Sequence, residues 1–146
     1  MRFGDPEAQA VMPLIGGDFV ALLAAAADGD LTGRRVELRD EVSVGVVLAS
    51  EGYPGSVRSR VPISGLDEAA HVPGVTVFHA GTASKDGRIV TAGGRVLTVV
   101  GTGADYESAI DRAYRAVSLI SFDGMQYRRD IGRKALLHGK GRVRLS

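Results

Sequence analysis

The 146-residue sequence predicts an α+β fold, mainly antiparallel sheet with helices packed on it. Three observations lead there. Short β-branched runs recur between residues 42 and 101, bounded by glycine turns. One stretch, Asp105 to Ile120, repeats its apolar residues every three or four positions. The other helical signals are short and stand mostly near the N-terminus. Strands gathered in one stretch with helices around them form a layered α+β domain, not alternating βαβ units.

Asp5-Pro6-Glu7 reads as a helix start, with Asp5 as N-cap, Pro6 at the first helical position and Glu7 in the first turn. The helix continues from Ala8 to Met12, and Pro13 with Gly16-Gly17 ends it. Asp18 caps a second helix, Phe19 to Ala27, which Asp28-Gly29-Asp30 stops. Glu41 to Ser50 carries Val42, Val44, Val46, Val47 and Leu48 and reads as a buried strand. Gly52-Tyr53-Pro54-Gly55 is a turn, residues 56–64 are extended and partly irregular, and Leu66 to Ala70 is a short helix.

Val75 to Thr82 is the next strand, with Val75, Val77 and His79 on one face and Thr76, Phe78 and Ala80 on the other. Lys85-Asp86-Gly87 is a hairpin signal leading into Arg88 to Thr91, and Gly93-Gly94 separates that run from Arg95 to Gly101. Residues 75–101 therefore read as an antiparallel meander. The long helix follows. Its stripe is Ala109, Ile110, Ala113, Tyr114, Val117 and Ile120, and its other face carries Glu107, Asp111, Arg112 and Arg115. Asp111 and Arg115 stand at ion-pair spacing, while Glu107 and Asp111 repel. Gly124 breaks the chain before a basic end.

Composition narrows the function classes. Net charge is +1, which argues against a wholly basic nucleic-acid binder, and the absence of cysteine removes disulfides and thiolate chemistry. No apolar run approaches the roughly 18 residues of a membrane span, and the N-terminus lacks a signal peptide's apolar core. The expected address is the cytoplasm. Twenty glycines, about twice the average usage of roughly 7%, sit among β-branched runs and suggest tight turns and close backbone approaches. From Arg128 onward, Arg128, Arg129, Arg133, Lys134, Lys140, Arg142 and Arg144 face a single acid, Asp130. That end is either an electrostatic footprint for an anion or a solvated tail. His71 and His138 have no partner at metal-ligand spacing, and no P-loop or Ser-His-Asp set stands out.

Six segments, taken in order, point to one family. They are Arg2-Phe3-Gly4-Asp5-Pro6-Glu7 with Gln9, Gly52-Tyr53-Pro54-Gly55, Val77-Phe78-His79-Ala80-Gly81-Thr82, Lys85-Asp86-Gly87, Gly93-Gly94-Arg95-Val96-Leu97 and Tyr127-Arg128-Arg129-Asp130-Ile131-Gly132. Their order and spacing resemble the C-terminal portion of glycinamide ribonucleotide synthetases, also called phosphoribosylamine–glycine ligases, over about residues 1 to 137. The resemblance implies an ATP-grasp enzyme of purine biosynthesis. ATP, assisted by Mg²⁺, phosphorylates glycine, and the amine of phosphoribosylamine attacks the acyl phosphate. Catalysis is then mostly positioning and charge neutralisation.

The resemblance also assigns candidate residues, each with a structural alternative. Arg2 follows the position of the family's metal-binding Asn, where a guanidinium fork can hold a carboxylate or acyl phosphate; the alternative is a frayed terminal residue. Asp5, with Glu7, positions the attacking amine; the alternative is a capping Asp and a first-turn Glu. His79 is a proton-transfer candidate or a buried, hydrogen-bonded strand histidine. Gly81-Thr82 and Gly93-Gly94-Arg95 offer backbone amides and a guanidinium to a phosphate, or are hairpin glycines with an exposed Arg. After the GYPG loop this chain has Val57 and Ser59-Arg60 where many relatives have an aromatic residue and Lys-Gly. Arg58 and Arg60 would supply the positive charge there.

The family's E-x-N metal segment and its ATP-gripping lysines stand upstream of the position of Arg2. The expectation is a chain inactive alone, in which residues 1–35 are a helical remnant of the ATP-grasp domain, 36–137 the C-terminal α+β domain and 138–146 a basic tail. No metal ligand is expected in it, and its partners would be the missing domains. Two other readings stay open. One is an anion- or nucleic-acid-binding module using the basic end. The other is a structural domain that self-associates through uncovered apolar surface.

Overall fold

The computed structural model describes residues 4–137. From the N-terminal side run α1 (Glu7–Val11), a 3-10 turn (Met12–Leu14), β1 (Ile15–Gly16), α2 (Phe19–Ala27), β2 (Glu37–Leu38) and β3 (Val42–Ala49). Then come α3 (Leu66–Ala70), β4 (Val75–His79), β5 (Thr82–Lys85), β6 (Arg88–Thr91), β7 (Arg95–Gly103), α4 (Tyr106–Leu119) and α5 (Arg133–Leu137). The expected α+β class is the one observed. No helix of the described residues is long and apolar enough to cross a membrane.

The central sheet has three antiparallel strands in the order β3-β7-β4. The simple meander expected for residues 75–101 does not form. β5 pairs with β6 as a separate hairpin inserted between two strands of the main sheet. The reason lies in β7. Leu97 and Val99 are opposite Leu48 and Val46 on one face, while Thr98 and Val100 are opposite Val47 and Gly45 on the other. All four β7 residues are buried, and a strand buried on both faces belongs in the middle of a sheet.

α4 lies on one face of the sheet and α1 on the other. The α4 stripe buries Ala109, Ala113, Ala116 and Val117, with Ile110 and Tyr114 only half-buried. Small residues let helix and strand approach closely. A Cβ at Gly101 would stand 2.3 Å from the Ala109 carbonyl oxygen and 2.7 Å from the Ala113 nitrogen. Asp105 caps this helix through a capping box, accepting from the Ser108 N–H at 2.8 Å. The expected Asp111–Arg115 pair is not among the ion pairs of the described residues. Exposed pairs of this kind gain only tenths of a kcal/mol and do not hold two long side chains together.

Beyond α4, Tyr114 fixes the 127–132 segment. Its hydroxyl donates to the Arg128 carbonyl at 2.7 Å and accepts from the Ile131 N–H at 3.0 Å. On the opposite face, α1 packs on β3 and β7; the Ser43 hydroxyl donates to the Ala10 carbonyl, and the Thr98 hydroxyl to the Gln9 side chain at 3.3 Å. Asp18 caps α2 as its position suggested, accepting from the Ala21 N–H at 2.9 Å.

Candidate functional site

The site is built where two glycine turns cross. The chain leaves β4 through Ala80-Gly81 and re-enters β7 through Gly93-Gly94. At Gly81 an added Cβ would be 2.6 Å from the Arg95 carbonyl oxygen and 2.8 Å from the Gly93 Cα, so only glycine allows these backbones to touch. Ser50, at the end of β3, is buried and fixes the second turn: its N–H donates to the Gly94 carbonyl and its hydroxyl to the Gly93 carbonyl, both at 2.9 Å. The Tyr53 ring then lies over Gly94, with Cδ2 only 2.4 Å from where a Cβ would be.

These pieces surround a cleft of about 520 Å³ lined by Asp5, Tyr53, Ala80, Gly81, Gly94 and Arg95. Across it, Arg95 donates to the Asp5 carboxylate at 2.9 Å. Asp5 therefore does not cap α1, contrary to the reading of Asp5-Pro6-Glu7. The helix begins at Glu7 with no side-chain cap, Pro6 standing just before it. The Arg95 guanidinium takes the carboxylate instead, through a charge-assisted hydrogen bond across the cleft.

Of the sequence candidates, Asp5, Gly81, Gly94 and Arg95 come together here. Thr82 and His79 flank the cleft without lining it, joined to each other by a 3.0 Å contact between Thr82 Oγ1 and His79 Nδ1. His79 is exposed and is not the buried strand histidine its alternation suggested. The Glu7 carboxylate folds back on Gly4 and is not in the cleft. Arg58 pairs with Asp123, and Arg60 is anchored by its N–H on the Thr91 carbonyl at 2.6 Å; neither lines the cleft. Arg2 lies outside the described residues.

The amides divide in the same way. Gly81 donates to the Arg95 carbonyl at 2.8 Å and Thr82 to the Ala80 carbonyl at 3.0 Å, so neither is available to a ligand. Among the described residues the N–H groups of Gly93 and Gly94 have no partner. Tyr53 and Ser50 were not singled out by the sequence as site residues. The signal for Tyr53 was an aromatic in a Gly-Pro loop; Ser50 left none.

Two arginines of the basic end, Arg128 and Arg129, are engaged locally. Arg128 holds Asp130 through two hydrogen bonds, at 2.9 and 2.7 Å, and Arg129 lies over the Tyr127 ring, 5.7 Å from its centroid. That hydrogen bond holds the Asp130 carboxyl below its usual range. The part of the basic end from residue 138 onward lies outside the described residues.

Residues 43–134 match the family model described as phosphoribosylglycinamide synthetase, C domain. The chain is 52% identical over 137 residues to the phosphoribosylamine–glycine ligase of Leifsonia xyli, a match covering 92% of this chain and 33% of that one. It is 44% identical to the trifunctional purine biosynthetic protein adenosine-3 of Gallus gallus, over 92% of this chain and 14% of that protein. The crystal structure of the phosphoribosylamine–glycine ligase of Thermotoga maritima is similar at a TM-score of 0.77 and 38% identity, covering 89% of this chain and 31% of that one. The chain spans about a third of the length of the bacterial ligases it matches. Family model, relatives and solved fold agree, and the chain belongs to the phosphoribosylglycinamide synthetase family, whose C domain it carries.

Proposed function

We propose that this chain forms the substrate side of an ATP-dependent ligase that joins glycine to phosphoribosylamine, giving glycinamide ribonucleotide, ADP and phosphate in purine biosynthesis. One observation supports this most directly: family motifs far apart in sequence, at Asp5, Tyr53, Gly81 and Gly94-Arg95, line a single cleft. A guanidinium fork suits the phosphate or carboxylate of a substrate. The aromatic ring gives a wall for a sugar's C–H face. A carboxylate beside them accepts from an amine. The reaction is cytoplasmic in this reading.

ATP and Mg²⁺ belong to the remainder of the ligase. Among the described residues no group of three or more His, Cys, Asp or Glu side chains is arranged to hold a metal ion. No step assigned to these residues runs through the ion. Their work is binding, orientation and exclusion of water. Residues 1–35 go with the ATP-grasp part and 36–137 with the C-terminal part. The exposed apolar side chains Val20, Leu31, Val36 and Leu38 make the surface on which the rest of the ligase packs.

The test is a chimera in which the N-terminal two thirds of the Leifsonia xyli ligase precede this chain. ADP release should require glycine and phosphoribosylamine together, and Arg95→Gln should lower kcat/KM by about hundredfold, the loss expected for a charged substrate contact. Turnover by the 146-residue chain alone would overturn the reading. So would a folded but inert chimera.

A further inference from the structure

The two charged side chains of the cleft are poorly used by each other. Arg95 and Asp5 meet through one hydrogen bond of 2.9 Å, and 38% and 60% of the respective side chains are exposed. Among the described residues neither side chain makes another hydrogen bond or ion pair. A guanidinium has five N–H donors in a planar fork, and a carboxylate accepts on two oxygens. Most of both capacities therefore faces water. An exposed pair of this kind contributes little to stability.

A phosphate monoester is a better partner for Arg95 than Asp5 is. It can meet the fork with two oxygens, where Asp5 meets it with one, and it carries more charge. The N–H group of Gly94, which lines the cleft beside Arg95, has no partner among the described residues and is a further unused donor. Asp5, however, is an anion beside the position such a ligand would take, and it repels the incoming charge as long as Arg95 is shared.

We propose that Asp5 and Arg95 are an exchange pair: a phosphorylated sugar entering the cleft takes the guanidinium, and the released Asp5 carboxylate turns to the ligand's amine or hydroxyl hydrogens. This rests on the reading of the cleft as a substrate site. The exchange makes the cleft select for ligands carrying both charges. A bare anion frees Asp5 but leaves it unpaired, whereas a ligand with an anion and a hydrogen-bond donor satisfies both groups. Asp5 is then a specificity residue as well as a neighbour of the reacting amine, and its cost to anion binding is the mark of that role.

The experiment is isothermal titration calorimetry on the full 146-residue chain, with inorganic phosphate and then ribose 5-phosphate as probes. Asp5→Asn should bind inorganic phosphate about two- to fivefold more tightly than the unaltered chain. Arg95→Gln should bind it at least about tenfold more weakly, and the double variant should behave like Arg95→Gln. Circular dichroism checks that each variant is folded, and Arg95→Lys, which keeps the charge without the fork, should fall between. Unchanged or weaker phosphate binding by Asp5→Asn overturns the exchange and makes Asp5 a brace for Arg95. Failure of every variant to bind either probe overturns it as well. If Asp5→Asn tightens phosphate but ribose 5-phosphate binds no better than phosphate, the exchange holds and the sugar-phosphate reading of the cleft fails. If ribose 5-phosphate binds better and Asp5→Asn has no effect, the exchange fails and that reading holds.

Discussion

All nine residues of α2 are apolar, yet Ala25 is the only one buried. α4 carries Glu107, Asp111, Arg112 and Arg115, yet it buries four residues. The difference is in what lies beneath each helix. α4 sets its alanines onto Gly101 and Gly103 of the central strand, close enough to leave no room for a side chain there. No strand of the described residues packs extensively on α2, and Val20 stays 76% exposed. Apolar content alone does not bury a helix; a matched surface does.

The contrast is open to direct attack. Leu97 is fully buried between strands and α4, so Leu97→Ala should lower unfolding free energy by about 2–5 kcal/mol in urea titration. Val20→Ser should change it by no more than about 0.5 kcal/mol. Equal losses at the two positions would mean that α2 is covered in solution, by a second copy of the chain for example. The caps give a finer comparison. Asp105→Ala should lower global stability by about 1 kcal/mol, because α4 belongs to the core. Asp18→Ala, which removes the same kind of hydrogen bond, should leave the urea midpoint in place and speed hydrogen exchange only within α2.

The smallest effect concerns two carboxylates held below their usual range. Asp130 is lowered chiefly by the Arg128 side-chain hydrogen bond, and Asp30 chiefly by the Thr32 N–H. A depressed carboxylate contributes stability above its unfolded pKa, and this is lost as pH falls through the folded value. Both contributions are therefore present at neutral pH and disappear on acidification below the ordinary value of 3.8. Asp130→Asn should flatten the acid limb of the stability profile slightly, since its segment is clipped to α4 by Tyr114. Asp30→Asn should leave that limb unchanged. A larger effect from Asp30 would reverse the ranking of the two regions.

Local chemistry was legible in the sequence where it depends on near neighbours. The β-branched run of Val42 to Ala49, the Asp18 cap and the α4 periodicity all follow from residues within a few positions of one another. The sheet order was not, because the central position of β7 comes from strands distant in sequence. Asp5 was read as a cap since Arg95, its partner, stands 90 residues away. His79 alternates with core valines but falls at the strand's exposed end. The site divided along the same line: the motifs brought Asp5, Gly81, Gly94 and Arg95 into view, while the ring of Tyr53 and the anchoring by Ser50 needed the fold.

The strand order has a further consequence, for how the molecule assembles. β3 and β4 never pair with each other, and the strand that joins them comes last of the three. Until residues 95–103 are made, neither edge has a hydrogen-bonding neighbour in this sheet. Its long loops make closure entropically slow. The core thus has no stable half: it zips on both sides of one strand or stays open, and a chain stopped before Arg95 would have turns and helices but no central sheet.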